Sequence, residues 1–163
     1  MTAVKVSSEN NFGLITLNDP SIHNALKNSD VEKINLTLSS WKNLKLDAIL
    51  ITGSGKSFCS GLFLEEFDHK NWITNPISAI CEKIEACECP VICALNGGAY
   101  GGAVEIALAC DFRVANNDIV LMIPAANLGI HYESSGLRRA INILGPSITR
   151  KLFLLGETIS FQD

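Results

Sequence analysis

Positive charge is nowhere concentrated in this chain. No run of lysine or arginine exceeds two residues, and 13 basic side chains face 17 acidic ones for a formal net charge of −4. Nucleic-acid binding relies on a basic patch that displaces counterions from phosphates, so no nucleic-acid partner is expected. Long apolar runs are missing too. Nothing approaches the roughly 20 residues that a membrane span requires, and the first ten residues carry no apolar core like that of a signal peptide. The expectation is a cytoplasmic protein that does not enter a membrane.

Metal-ligand spacing is also lacking. The tightest of the six cysteines' groupings, Cys87-Glu88-Cys89-Pro90-Val91-Ile92-Cys93, matches no standard zinc pattern. Cys59, Cys81 and Cys110 lie farther apart, and no metal is expected. Reduced thiols serving as small hydrophobes are the expectation. Gly55-Lys56-Ser57 resembles the end of a phosphate loop, but that motif needs a glycine five residues earlier, and position 50 is leucine. The nucleotide reading fails there. Lys56 is left to a phosphate or to solvent.

What the chain does have is apolar content: 47% of 163 residues. That suits a single α/β domain over 1–163. Strands are predicted at 12–17, 48–52, 90–95, 112–115 and 119–122. Ser29-Asp30-Val31-Glu32 reads as a capping box opening a helix whose apolar face is Val31, Ile34, Leu38 and Trp41. A second helix is predicted at 76–88, with Ile77, Ile80, Cys81, Ile84 and Cys87 as its stripe. Two more follow at 135–144 and 146–155, stopped by Gly145 and Gly156. The last residues, from Thr158, read as a turn and a helix N-cap.

The most informative stretch is Asn96-Gly97-Gly98-Ala99-Tyr100-Gly101-Gly102-Ala103-Val104-Glu105. Four glycines within six positions suit neither an ordinary helix nor a strand, since glycine weakens both. The stretch follows an apolar strand and leads into an apolar helix, so a glycine turn between the two is predicted. The first N–H groups of a helix lack internal partners and sit at the positive end of its dipole. Aimed at a developing oxyanion, they form a catalytic device. Glu105, three residues after Gly102, shares its side of the first turn.

Three stretches together resemble the crotonase (enoyl-CoA hydratase/isomerase) family. Ser21-Ile22-His23-Asn24-Ala25-Leu26 is similar to its loop ending in Asn-Ala-Leu. Phe58-Cys59-Ser60-Gly61-Leu62-Phe63-Leu64 is similar to its Phe-x-x-Gly-x-Asp-Leu/Ile loop. The glycine stretch with Ala109-Cys110-Asp111 is similar to its Asn-Gly-x-x-x-Gly-Gly-x-x-Glu…Ala-x-x-Asp signature. The resemblance implies a spiral of repeated β-β-α units. It covers the family's N-terminal part, and the C-terminal helices that complete the pocket and assemble trimers have no counterpart here.

By position, the resemblance implies an oxyanion hole from the Leu62 and Gly102 N–H groups for an acyl-CoA thioester. Ser21, Ile22, His23 and Ala25 would lie along the CoA moiety, with Ser60 and Leu64 flanking its adenine. No cofactor is implied, because CoA is part of the substrate. Glu105 matches the first of the hydratase's two glutamates, and a homotrimer is the family's assembly. Two positions depart from the pattern. Ala125 stands where the second glutamate of Pro-Glu-x-x-x-Gly belongs, and Phe63 replaces the aspartate after the oxyanion residue. Asn127-Leu128-Gly129-Ile130-His131-Tyr132 is similar to the family's acyl-CoA decarboxylases, which place a tyrosine there. The leading expectation is an enoyl-CoA hydratase or isomerase using Glu105. The alternatives are a malonyl-type decarboxylase using Tyr132, or a truncated remnant that binds CoA with impaired catalysis.

Overall fold

The computed structural model describes residues 2–66 and 75–160. Strand β1 (Lys5–Glu9) turns through Asn10 and Asn11, both at positive φ, into β2 (Phe12–Leu17). Along β2 every second residue is buried, ending at Ile15 and Leu17, the period of two that a half-covered strand requires. Strands β3 (Ala48–Gly53), β5 (Val91–Leu95) and β7 (Phe112–Ala115) add on in parallel, giving the order β1-β2-β3-β5-β7. A second sheet holds β4 (Ser57–Cys59), β6 (Gly98–Tyr100), β8 (Val120–Met122) and β9 (Ile159–Ser160), ordered β4-β6-β8-β9.

The two sheets are stitched by repetition. Helix α1 (Asn28–Trp41) follows β2; then β3 and β4 lead to α2 (Pro76–Glu85), β5 and β6 to α3 (Gly102–Ala109), and β7 and β8 to α4 (Ser134–Arg150). Each pair sends its first strand to one sheet and its second to the other, then a helix closes the unit. This is the expected spiral of β-β-α units. Val31, Ile34, Leu38 and Trp41 of α1 are buried, as are Ile77, Ile80, Cys81 and Ile84 of α2. Burial of each such side chain contributes about 1.5–3 kcal/mol. Helix α3 is buried along 103–109, flanked by α2 and α4, which explains why it is apolar all round.

Several sequence expectations are corrected. Gly98–Tyr100 is strand β6, not turn: its register partners in β4 and β8 lie 40–41 and 22 residues away, beyond any local signal. Its glycines serve close approach, since a Cβ on Gly97 would sit 2.0 Å from the Lys56 carbonyl oxygen. The turn itself shrinks to Gly101, at φ 56° and ψ −128°, a conformation that only glycine holds without strain. Helix α1 starts at Asn28 rather than after Ser29, because the carboxylate that reaches back is Asp30's, 3.1 Å from the Lys27 N–H. Helix α2 ends at Glu85, leaving Cys87 outside it. The two C-terminal helices run on as α4, which is broken at Gly145 (φ 74°) and followed by a wide turn over Lys151–Leu155 to left-handed Gly156. Strand β1 carried no recognised signal. Ile159–Ser160, expected within a turn and helix cap, instead pair antiparallel with β8, and 161–163 lie outside the described residues.

All six cysteines are free thiols, with Cys59, Cys81, Cys93 and Cys110 buried. Burial pushes the Cys59 thiol up to about 12. Lys56 is exposed beside buried Ser57. Among the described residues no cluster suited to a metal ion forms, and no helix is long and apolar enough to cross a membrane.

Candidate active site

The site is built where the first-sheet loops meet the start of α3. Buried Asn24 organises them. Its side-chain amide donates to the carbonyls of Ser54 (2.9 Å), Ser57 (2.9 Å) and Phe58 (3.1 Å), and its oxygen accepts the Asp19 N–H at 2.9 Å. Asn96 does the same from the other side, donating to the Gly55 and Ser57 carbonyls and accepting the Gly53 N–H. Ser60 then ties the 20–26 loop to the 57–64 loop: its N–H reaches the His23 carbonyl at 3.0 Å and its hydroxyl the Ile22 carbonyl at 3.3 Å. Ser21, Ile22, His23 and Ala25 thus form a rim beside Ser60, Leu62 and Leu64.

Leu26 pairs with the chain around Leu62 as a parallel bridge. Its N–H donates to the Gly61 carbonyl (2.8 Å) and its carbonyl accepts from Phe63 (2.9 Å). In a parallel ladder the intervening residue points its own backbone groups away. The Leu62 N–H is therefore directed away from Leu26. Gly61 lies against the α3 entry, where an added Cβ would meet the Tyr100 carbonyl at 2.9 Å and the Gly102 nitrogen at 3.3 Å. Gly102 is the first residue of α3, so its N–H has no partner within the helix. Leu62 and Gly102 both line a cavity of about 100 Å³ whose wall also includes Ser60, Leu64, Ala125, His131 and Tyr132. A larger groove of about 600 Å³, past Trp41 and Lys83, contains none of the expected residues.

Glu105 is placed differently from the expectation. It does not line that cavity; it is buried at 1% exposure behind it, in a charged cluster. Its Oε1 accepts from Arg139 Nη1 at 2.7 Å, and Arg139 also donates to Glu85 through Nε (2.6 Å) and Nη2 (2.8 Å). Burial pushes the Glu105 carboxyl above the ordinary carboxylate range, with the Tyr132 hydroxyl and Arg139 pulling the other way. The Tyr132 hydroxyl approaches Glu105 without meeting hydrogen-bond geometry, so it and Glu105 Oε2 are both buried and unpartnered. Burial, then the Glu105 charge, holds the Tyr132 phenol in its neutral form. Its ring stands edge-on to Phe153 at 4.7 Å.

Arg139, Glu85 and Gly136 were not found from the sequence. A Cβ on Gly136 would meet Tyr132 Cε1 at 2.7 Å and Glu105 Cδ and Oε1 at 2.9 Å, so only hydrogen fits between the two side chains. A usable signal did exist: Gly136, Arg139 and Ala140 fall on one face of α4, small, cationic and small. Among the other departures, Phe63 lies under the Lys27 ammonium, 5.8 Å from the ring centre.

A family model described as enoyl-CoA hydratase/isomerase matches residues 7–163. The 2,3-dehydroadipyl-CoA hydratase of Escherichia coli (strain K12) is 31% identical over 167 residues, covering 100% of this chain and 66% of its own length. The short-chain-enoyl-CoA hydratase of Clostridium acetobutylicum is 29% identical, covering 98% and 64%. Among solved structures, an enoyl-CoA hydratase from Bacillus anthracis superposes with a TM-score of 0.87 at 28% identity, over 99% of this chain and 66% of that one. The chain thus spans just under two thirds of the length of these relatives.

Proposed function

The chain belongs to the enoyl-CoA hydratase/isomerase family, and on that premise we propose that it acts on an acyl-CoA thioester by holding an enolate oxygen between the N–H groups of Leu62 and Gly102. The observation carrying this reading is that both residues line one small cavity and the N–H of neither is used by the helix or ladder beside it. Charge developing on the thioester oxygen is met by preorganised dipoles, where removal of one donor typically costs about 10²–10³ in rate. Ser21, Ile22, His23 and Ala25 would lie along the CoA, with Ser60 and Leu64 beside its adenine.

Glu105 is the acid/base carboxylate of the leading reaction. Water adds to the β-carbon of an enoyl thioester, electrons move to the thioester oxygen, and a proton reaches the α-carbon. A buried carboxyl biased towards its neutral form suits proton delivery, and Oε2 is the oxygen left without a partner. A second reading rests on Ala125 and Tyr132. Position 125 on the cavity wall carries a methyl rather than a carboxylate, and the Tyr132 hydroxyl is buried without a partner. Decarboxylation of a malonyl-type thioester needs the same enolate hole but no base, and Tyr132 would orient the departing carboxylate. A homotrimer and a cytoplasmic location belong to the same family-based reading.

Incubation with a panel of enoyl-, hydroxyacyl- and malonyl-CoA thioesters, with products identified by mass, separates these readings. Hydroxyacyl-CoA, or a shifted double bond, supports the first, and released carbon dioxide the second. Thioester binding without any product supports the impaired remnant.

A further inference from the structure

The family reaction asks for a carboxylate, yet nothing in that requirement explains the ionic cluster behind it. Arg139 is buried at 8% exposure, and among the described residues its ion pairs are to two glutamates. Glu105 takes one amino group; Glu85, whose side chain is 46% exposed, takes the remaining fork. A guanidinium delivers fixed donors in a plane, so binding one carboxylate in two places fixes its direction towards the other.

We propose that Arg139 and Glu85 are positioning residues for Glu105: Arg139 anchors Oε1 so that Oε2 alone is free to carry a proton, and Glu85 shares the guanidinium charge so that Glu105 is not fully neutralised by it. The proposal rests on the acid/base reading of Glu105 but is testable apart from it. The groups facing Glu105 are Cys81 and Glu85 from α2, Tyr132 and Glu133 from the segment before α4, and Arg139 from α4 itself. Glu133 is otherwise engaged, accepting from the Asn75 N–H at 2.9 Å and the Ser78 hydroxyl at 2.6 Å. Cys81 is a buried thiol held neutral by desolvation. Arg139 is therefore the cation acting on Glu105, and Glu85 is its competitor for it.

The charges dictate opposite signs for two substitutions. Glu85→Gln keeps the shape and an acceptor but removes a negative charge, leaving Arg139 undivided; the Glu105 titration should move to lower pH. Arg139→Met removes the cation while burial stays, so the titration should move to higher pH. The measurement is a carbon-13 NMR titration of full-length protein labelled at glutamate Cδ, with the Glu105 signal assigned by its loss in Glu105→Gln. The readout does not depend on turnover. A mere packing role would lower melting temperature in both variants without moving the titration in opposite directions. Should Arg139→Met fail to fold, Glu85→Gln alone decides: an unmoved or upward midpoint overturns the clamp. Where turnover is measurable, Arg139→Lys should lower kcat with KM unchanged, because it loses the fork and touches no CoA-contacting residue. Shifted midpoints with no turnover on any thioester would uphold the clamp and overturn the acid/base reading.

Discussion

Gly136→Ala puts two known effects in opposition, so its sign is informative. Gly136 lies inside α4 at ordinary helical φ, and alanine in a helix interior is worth roughly 0.5–1 kcal/mol over glycine. Against that stands crowding. The new methyl would meet Tyr132 Cε1 at 2.7 Å and the Glu105 carboxylate at 2.9 Å, both closer than carbon contacts tolerate. Neither neighbour yields easily: Tyr132 is backed by Phe153 at 4.7 Å, and Glu105 is tied to Arg139 at 2.7 Å. Overpacking a fixed site typically costs about 1–3 kcal/mol, so crowding outweighs propensity by up to about 2.5 kcal/mol. For a chain of this size that lowers the melting temperature by up to roughly 10 °C. Movement of the carboxylate by about an ångström should lower turnover about 10²-fold. Thermal melting and thioester turnover of the purified variant test both. A melting temperature that rises, with turnover intact, would refute the placement of Gly136 between Tyr132 and Glu105.

Three further outcomes are expected. Gly102→Pro deletes an oxyanion donor and should cost about 10²–10³ in turnover; Gly102→Ala keeps the N–H but meets Ile77 Cγ1 at 2.6 Å, and so reports the crowding alone. Ala125→Glu places a carboxylate on the cavity wall, in front of Glu105, and should raise hydration of a short enoyl-CoA, within the roughly 10²–10⁴-fold worth of an acid/base group, a gain that Glu105→Gln then abolishes. If the parent hydrates briskly and Ala125→Glu is neutral, position 125 is not the vacant partner site. The pH dependence follows from Glu105: the folded state binds its proton more tightly than the unfolded state, whose carboxyl titrates near its ordinary 4.5. Stability from this group is present at low pH and lost as pH rises through the higher folded value. Melting curves of parent and Glu105→Gln against pH should therefore diverge above 4.5, the parent declining faster, and parallel curves would contradict the raised titration.

The parts of this molecule legible in sequence are those decided locally. The apolar spacing of Val31, Ile34, Leu38 and Trp41 fixes one face of α1 whatever lies opposite, and all four are buried. Gly101 announces a turn because no other residue holds its backbone angles. The pairing of Leu62 with Gly102 came from the family resemblance, and one cavity does bring these residues together with Ser60, Leu64 and Tyr132. What failed is decided by distant partners. Gly98–Tyr100 is a strand only because β4 and β8 lie on either side, and Ile159–Ser160 is one only because β8 offers an open edge.

Arg139 belongs to the same class, and it changes what Glu105 means. From sequence, the α3 glutamate is an acid beside two oxyanion donors, its balance of burial and dipole unreadable. In the fold a cation supplied 34 residues later takes one of its oxygens, and a half-exposed glutamate from α2 holds that cation. A buried carboxylate left alone would cost several kcal/mol and simply stay protonated. Paired fully with one arginine, it would be held ionised and reluctant to accept a proton. Sharing the guanidinium between Glu85 and Glu105 places the latter between these limits, which suits the proposed role of giving and taking a proton. On the proposed reading, Ala125 increases that demand, because one carboxylate is left to do work that the family resemblance assigns to two. On that reading the clamp behind α3 and the apolar residue at 125 are two halves of one arrangement, in which the chemistry proposed for Glu105 depends on how Arg139 is divided.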